Sequence, residues 1–485
     1  MKKTHTTILL QKLLAALMIA SSCLFLIFLY HDLAICDDTI WHIKLGEDIL
    51  SNHRLESTVS HSMHSTPFIQ HEWASEILLS AINNISGITG LLFFSALMYF
   101  IGFMFCTFKN EFSLEKAVLI SLLVFLGFRK TLYIIPDTIG MLLMLLGGAA
   151  ITSKISVQRK LIYNALITVL IANFHGGVLI GYITQMIIFT VVETIFALRK
   201  KQSDIKVAGC LLGQSILCGL INPYGIKLYT YALMLKNENS VSYFYDWQPY
   251  HFSGLLPIIA FCILLFSLVY GFYKKIKAGK TFNKNDLLKV SLVILWLIMM
   301  LTYQRCINIF IYTLIYQFGE YISEGLSDAG DFIRKHIRLF TGTFAIISVL
   351  FLIGSLNIVK HKNIQEKVSS FIPEEVVVKL NSENRTVFND WNIGGYLIYS
   401  NIDVFADGRT DPYLKSYNGG KDIIGEYCNA CYYPEAMNQL HSEYNIDTLI
   451  FRNNTTQSEL YRNIPEWKTE YKSEDLIILY WAENE

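Results

Sequence analysis

His31-Asp32-Leu33-Ala34-Ile35-Cys36-Asp37-Asp38-Thr39-Ile40-Trp41-His42-Ile43-Lys44 opens the first long polar interruption in a half-chain that is otherwise apolar. The interruption covers residues 31–87 and includes Gln70-His71-Glu72-Trp73. An apolar run from about Ile8 to Tyr30 precedes it and another over 88–107 follows. Each has the roughly 20 residues that a membrane-spanning helix needs. A segment tied at both ends to membrane helices stays at the bilayer surface. Its carboxylates, imidazoles and indoles therefore sit at the mouth of whatever the helices enclose. This reading decides the fold class, a multispanning α-helical membrane protein with its chemistry gathered at one surface.

Working outward, 53% of the 485 residues are hydrophobic and 14% aromatic, a membrane-protein composition. The formal net charge is zero, so no basic excess points to nucleic acid, and that class of partner is set aside. Met1-Lys2-Lys3 and the run after it have the look of a secretory leader, but the run continues seven residues beyond Cys23. An uncleaved first span is expected. Further apolar runs lie at 115–128, 131–151, 161–174, 178–197, 207–221, 255–273, 288–303, 307–319 and 339–357, which makes about eleven transmembrane helices. Placing the N-terminus in the cytoplasm puts the lysine-rich connections at 154–160, 199–206, 274–284 and 334–338 all on the cytoplasmic face. Residues 31–87, Arg129-Lys130, Asn173-Phe174-His175, 222–254, Gln304-Arg305 and the C-terminal part then lie outside.

From about residue 360 the composition becomes that of a soluble domain. We expect a membrane domain over 1–358, including the outer loop 31–87, and an extracytoplasmic α/β domain over 359–485. Strands are predicted at 386–389, 404–406 and 448–451, helices at 434–444 and 457–462, and a closing hairpin from 467–471 and 476–481. Most cysteines lie inside apolar runs and behave as small hydrophobes, whereas Cys428-Asn429-Ala430-Cys431 reads as a local disulfide if this part is outside the cell.

Asp37 and Asp38 can serve as base, as metal ligand or as both, against the plainer reading of a solvated loop start. His61 and His64 read as exposed loop histidines, and Glu72 needs a partner if it is not in water, His71 being one. Arg129, Lys130, His175 and Arg305 sit at outer helix ends, where cations often only snorkel to the interface. Arg305, confined to a short turn between two spans, reads as functional. Asp137 lies deep enough that it must face protein or water. In the outer domain, Asp390-Trp391 and Asp407-Gly408-Arg409 follow strands, an arrangement common to binding sites and to ordinary turns alike.

Several of these motifs, in order, resemble a widespread bacterial family of multispanning proteins. They are Asp38-Thr39-Ile40-Trp41-His42, His71-Glu72-Trp73, Asn173-Phe174-His175-Gly176, Asn222-Pro223-Tyr224-Gly225, Gln304-Arg305, Asn389-Asp390-Trp391-x-x-Gly394-Gly395-Tyr396 and Asp407-Gly408-Arg409. That family is grouped with the membrane glycosyltransferases of the GT-C fold, which take sugars from lipid phosphates. The resemblance implies that an acidic residue of the first outer loop is the catalytic base or a metal ligand. Asp38 is the matching position, with Asp37 and Glu72 in reserve and Mg²⁺ or Mn²⁺ as the ion if one is used. Asp390-Trp391-x-x-Gly394-Gly395 also looks like the motif that reads the acceptor in oligosaccharyltransferases, so Asp390, Trp391, Asp407 and Arg409 are the expected acceptor contacts. Ile135-Pro136-Asp137 departs from the arginine and proline pattern of that span.

The expectation is a cell-membrane glycosyltransferase that moves a sugar from a polyprenyl-phosphate carrier to an extracytoplasmic acceptor, whether glycan, lipid or protein. Arg305, Lys130, Arg129 and His175 would meet the donor phosphate. Two rival classes remain. A transporter or flippase of a lipid-linked substrate would show broken helices at matching positions in two halves. A non-catalytic surface or assembly protein would not need so many spans.

Overall fold

The computed structural model describes residues 5–128, 131–199, 201, 203–235, 247–279, 283–335, 343, 346–347, 349–350, 353–354 and 359–482. The chain forms two compact units. One comprises Met1–Ala34, Leu91–Gly225 and Phe244–Lys360, the other Ile35–Gly90, Ile226–Tyr243 and His361–Glu485.

The first unit is helical. Its helices include His5–Leu29, Leu114–Gly127, Pro136–Thr152, Val157–Phe174, Leu179–Leu198, Ile205–Cys218, Leu255–Lys277, Lys284–Thr302 and Ile307–Gly325. Among the described residues, four helices are long and apolar enough to cross a membrane: Trp73–Lys109, Gly176–Leu198, Leu255–Lys277 and Lys284–Thr302. The apolar helices Ala16–Leu29, Pro136–Thr152 and Ile205–Cys218 are shorter. Among the described residues the number of full-length spans therefore falls below the eleven expected. Several apolar runs form helices shorter than the roughly 20 residues of a crossing. The run at 339–357 lies largely outside the described residues.

Helix packing in this unit depends on small residues. On Leu255–Lys277, Leu255, Phe266 and Val269 face outward while Ala260, Ser267 and Gly271 are buried. A Cβ on Gly271 would run into the Tyr321 backbone, one on Gly325 into Ser267, and one on Gly127 into Ala260. Where lipid is as apolar as leucine, close backbone approach supplies the dispersion contact that holds helices together. Polar groups add to it. The Asn164 amide donates to Leu211 O at 3.1 Å and to Gln214 Oε1 at 2.9 Å, and Asn164 Oδ1 accepts from Tyr182 at 2.9 Å and Ser215 at 3.0 Å.

The second unit is built on a four-stranded sheet of β1 (Val387–Asn389), β2 (Thr448–Arg452), β3 (Trp467–Lys472) and β4 (Leu476–Trp481), in the order β1-β2-β4-β3. β1 runs parallel to β2, with Val387 opposite Thr448, and β4 is antiparallel to both β2 and β3. The helices Pro434–Tyr444 and Thr456–Arg462 and the hairpin lie where they were expected. Residues 404–406 do not form the predicted strand. Val404 makes only an isolated bridge to Ser62. The Asn389 side chain satisfies the next two residues instead, accepting from Phe405 N at 3.0 Å and donating to Ala406 O at 2.8 Å.

Ile35–Gly90, most of the segment read as the first outer loop, falls in this sheet unit. It carries a helix, Asp37–Asn52, where a polar loop was read. Asp37 and Asp38 occupy its first turn, where carboxylates oppose the positive end of the helix dipole. Trp41 and Leu45 on that helix, with Val59 and Phe68, enter one core with Ile393, Leu397, Val404, Ile450 and Ile478. Helix Trp73–Lys109 breaks at Gly87, whose φ of 61° suits glycine. The break lets Ile88 N donate to Lys362 O at 3.0 Å, and a Cβ on Gly87 would strike that carbonyl.

Cys428 and Cys431 are not joined. Cys428 lies in the helix Ile423–Ala430 and Cys431 caps it. Residues three apart on a helix hold their Cβ atoms about 5–6 Å apart, beyond the roughly 3.5–4.5 Å that a disulfide spans.

Candidate active site

Asp37 and Asp38 end up with different surroundings. Asp37 Oδ1 accepts the backbone N–H of Gly395 at 2.8 Å, so Asp37 is bonded to the start of the short helix Gly394–Tyr399. Asp38 Oδ1 accepts the Trp41 indole N–H at 3.0 Å. Two motif glycines make this closeness possible. A Cβ on Gly395 would run into the Asp37 backbone, and one on Gly408 into the Asp38 carboxylate. Burial pushes the Asp37 carboxyl well above its usual range, the Asp38 charge pushes it further, and the Gly395 and Tyr396 N–H groups offset only part of this. Two adjoining acids in different surroundings can take different tasks.

Asp407 and Arg409, expected to contact an acceptor, pair with each other. Both side chains are fully buried, at 0% exposure. Arg409 Nε and Nη2 donate to the Asp407 carboxylate at 2.9 and 2.7 Å, and the Tyr413 hydroxyl donates to it at 2.5 Å. Arg409 Nη1 then reaches the carbonyl of Ser60 at 2.7 Å. The pair ties the 53–70 loop to the sheet. Asp390 and Trp391 stay partly exposed. Asp390 Oδ1 accepts from Asn392 N at 2.9 Å and Oδ2 from Arg452 at 3.3 Å. The Trp391 N–H donates to the Tyr427 hydroxyl at 2.7 Å.

His61 and His64 are not exposed either. His61 Nε2 meets Asp48 Oδ2 at 2.9 Å. Buried His64 donates from Nε2 to the Phe405 carbonyl at 3.0 Å, and burial holds its imidazole down at about 4. Glu72 is buried beside two imidazoles, His42 at 3.6 Å and His71 at 3.9 Å.

In the helical unit, Arg305 binds Asp137 bidentately, Nη2 to Oδ2 at 2.6 Å and Nε to Oδ1 at 3.3 Å. His175 Nε2 meets the same Oδ1 at 2.9 Å, and the guanidinium lies over the Trp247 ring at 5.5 Å. The carboxylate that departs from the expected pattern is thus the partner of the expected cation. Asp137 and Arg305 line a cavity of about 210 Å³ with Tyr99, Thr131, His251 and Asn308. Arg129 and Lys130 lie outside the described residues.

No protein-family description matches the sequence, and no curated protein does. Solved structures do match. The archaeal oligosaccharyltransferase AglB from Archaeoglobus fulgidus, in complex with an inhibitory peptide and a dolichol-phosphate, superposes with a TM-score of 0.56 over 90% of this chain and 69% of that one, at 10% identity. ArnT from Cupriavidus metallidurans, bound to undecaprenyl phosphate, gives 0.54 over 98% of both chains at 11% identity. This chain has the GT-C fold. A further structure of the Archaeoglobus fulgidus oligosaccharyltransferase, with Zn and sulfate, gives 0.52 over 90% of this chain and 68% of that one at 12% identity. A fold of membrane glycosyltransferases accords with the apolar helices of the first unit and with the small sheet of the second.

Three features of the GT-C chain escaped sequence reading. Asp411 is buried and faces His71, Glu76 is buried beside His42, and the helix Lys227–Leu235 brings Tyr231 to His71 with ring centres 5.0 Å apart. They come from distant parts of the sequence, so no local spacing could have joined them.

Proposed function

We propose that the protein is an extracytoplasmic glycosyltransferase that takes its sugar from a polyprenyl phosphate. The observation that carries this reading is the fold shared over nearly the whole chain with ArnT bound to undecaprenyl phosphate. The AglB complex with a dolichol-phosphate and a peptide supports a lipid-phosphate donor and an acceptor of similar kind. The lysine-rich connections support a cytoplasmic N-terminus and an outer sheet unit.

Asp38 is the base. Its neighbour Asp37 is bonded into the outer unit and biased toward its neutral form, which leaves the pair's charge on Asp38. As the acceptor oxygen attacks the anomeric carbon, its proton passes to the Asp38 carboxylate. The bond to the donor oxygen breaks with its electron pair leaving on the phosphate. Attack from the far face inverts the sugar. Arg305 stabilises the leaving phosphate, and Asp137 and His175 hold that guanidinium in place. The Asp38 carboxylate is the group that would hold a divalent ion, an oxygen donor that suits Mg²⁺ or Mn²⁺. Such an ion would supply positive charge beside the acceptor oxygen.

The test is transfer by purified full-length protein from a panel of radiolabelled polyprenyl-phosphate sugars. Label moving from at least one donor to an added acceptor or to water supports the reading. Donors that bind and are carried across a vesicle bilayer with the sugar still attached would replace it with a transporter.

A further inference from the structure

Two adjacent glycines of the helix Pro136–Thr152 have different surroundings. A Cβ on Gly147 would run into the Tyr182 ring, so packing forbids a side chain there. A Cβ on Gly148 would meet nothing closer than Gln185 Oε1 at 3.5 Å and Gln317 Nε2 at 3.9 Å, ordinary contact distances. Glycine is disfavoured against alanine inside a helix. A methyl fits at 148, so close packing does not account for this glycine. What the position has instead is two amides aimed at it.

Gln185 belongs to the helix Leu179–Leu198 and Gln317 to Ile307–Gly325, and they are 1% and 2% exposed. The same helices bury Met186, Phe189, Leu314 and Phe318, so the surroundings are apolar. Neither Gln185 Oε1 nor Gln317 Oε1 has a hydrogen-bond partner among the described residues. Leaving a buried amide oxygen unbonded is costly, and such groups are normally paired with protein or with ordered water.

The three positions share one depth in the helical unit. Gly148 follows Asp137 by 11 positions, Gln185 follows His175 by 10, and Gln317 follows Arg305 by 12. At about 1.5 Å per residue, each lies roughly 15–18 Å along its helix from the cluster in which His175 Nε2 and Arg305 Nη2 meet the Asp137 carboxylate. The same three helices are therefore joined near their starts by charge and converge again at Gly148.

We propose that Gln185 and Gln317 bind an internal water molecule beside Gly148, a clamp that bridges the helices Leu179–Leu198 and Ile307–Gly325 over the surface of Pro136–Thr152. The donor and acceptor pattern selects water. Gln185 turns an acceptor and Gln317 a donor toward the same point, so the ligand must donate to one and accept from the other. Turning the Gln317 amide over brings its unpartnered oxygen there instead. Water, with two hydrogens and two acceptor sites, serves either arrangement. A cation has no acceptor for the N–H, and an anion has no donor for the oxygen. Being unbonded, a water stands farther from the Gly148 Cα than a methyl would, and so nearer both amides. An alanine methyl at 148 would compete for that place.

The test is a substitution cycle read by thermal melts of the full-length protein in detergent. By helix propensity alone, Gly148→Ala is neutral or stabilising. If the methyl displaces a water and strands both amides, the melting temperature is expected to fall by about 2–4 °C. In the Gln185→Met, Gln317→Met background no amide is left to strand, and the same Gly148→Ala is expected to leave the melting temperature unchanged or to raise it. Stabilisation of the wild type by Gly148→Ala, or an equal shift in both backgrounds, overturns the clamp. A density map of the wild type in lipid nanodiscs, at a resolution that shows waters, reads the site without any substitution. A water peak about 2.7–3.2 Å from both amides is expected. Amides bonded directly to each other, or no peak between them, overturn the proposal.

Discussion

Asp37 and Gly395, 358 positions apart in sequence, meet through a 2.8 Å hydrogen bond from the glycine N–H to the aspartate carboxylate. A side chain at 395 would occupy the space of the Asp37 backbone, so this contact needs glycine. Gly395→Ala should destabilise the sheet unit by about 1–3 kcal/mol, the usual cost of overpacking a filled core. Gly209→Ala is the control, since nothing lies within 4 Å of its added Cβ. In parallel thermal melts the first variant should unfold earlier, and the second should be neutral or slightly stabilised by its better helix propensity.

His64 makes acid stability testable. Burial holds its imidazole at about 4 in the folded protein, against about 6.5 for an unfolded chain. The fold therefore favours the neutral ring. This contribution is fully present above pH 6.5 and is lost as the pH falls toward 4, up to about 3 kcal/mol in all. His64→Gln can still donate to the Phe405 carbonyl but cannot titrate. Its melting temperature should depend less on pH across that window than the wild type's, and parallel curves would count against a buried neutral imidazole.

Arg409 should matter through the fold rather than through a ligand. Removing one partner of a buried ion pair typically costs about 3–5 kcal/mol. Arg409→Met leaves Asp407 buried without its guanidinium and leaves the Ser60 carbonyl without that donor. Limited proteolysis should then cut the variant between residues 53 and 70, where the wild type resists.

Asp137 neutralises the cation expected to meet a phosphate. Asp137→Asn should bind undecaprenyl phosphate about tenfold more tightly, and Arg305→Ala about tenfold more weakly, the scale of one hydrogen bond to a charged group. Equal affinities for wild type and both variants would remove this pair from the donor site.

Much of the architecture was legible because its signals are local. Apolar runs mark the helices of the first unit, and alternating short strands with a closing hairpin mark the sheet. The helix Pro434–Tyr444 has its proline at N1 and an αL residue, Asn445, just past its end, the punctuation that a sequence shows. Errors arose where distant partners decide the outcome. Asp37–Asn52 looks like a solvated loop until the core that receives Trp41 and Leu45 is known. Residues 404–406 look like a strand, but Asn389 satisfies their backbone from the side. Asp407-Gly408-Arg409 reads equally as a binding site or an ordinary turn, and only the folded chain shows its charges closed on each other beneath the 53–70 loop. Asp38 was reached by resemblance, while Asp411, Glu76 and Tyr231 required three-dimensional proximity.

The central claim is that Asp38 performs base chemistry on an acceptor while Asp37 does not. Transfer and donor binding should be measured side by side for wild type, Asp37→Asn and Asp38→Asn with one polyprenyl-phosphate sugar. Asparagine at 37 can still accept the Gly395 N–H, so turnover should stay within a few-fold of wild type. At 38 it should drop by ~10² or more while donor binding persists. Wild-type transfer that survives undiminished in Asp38→Asn would contradict the account.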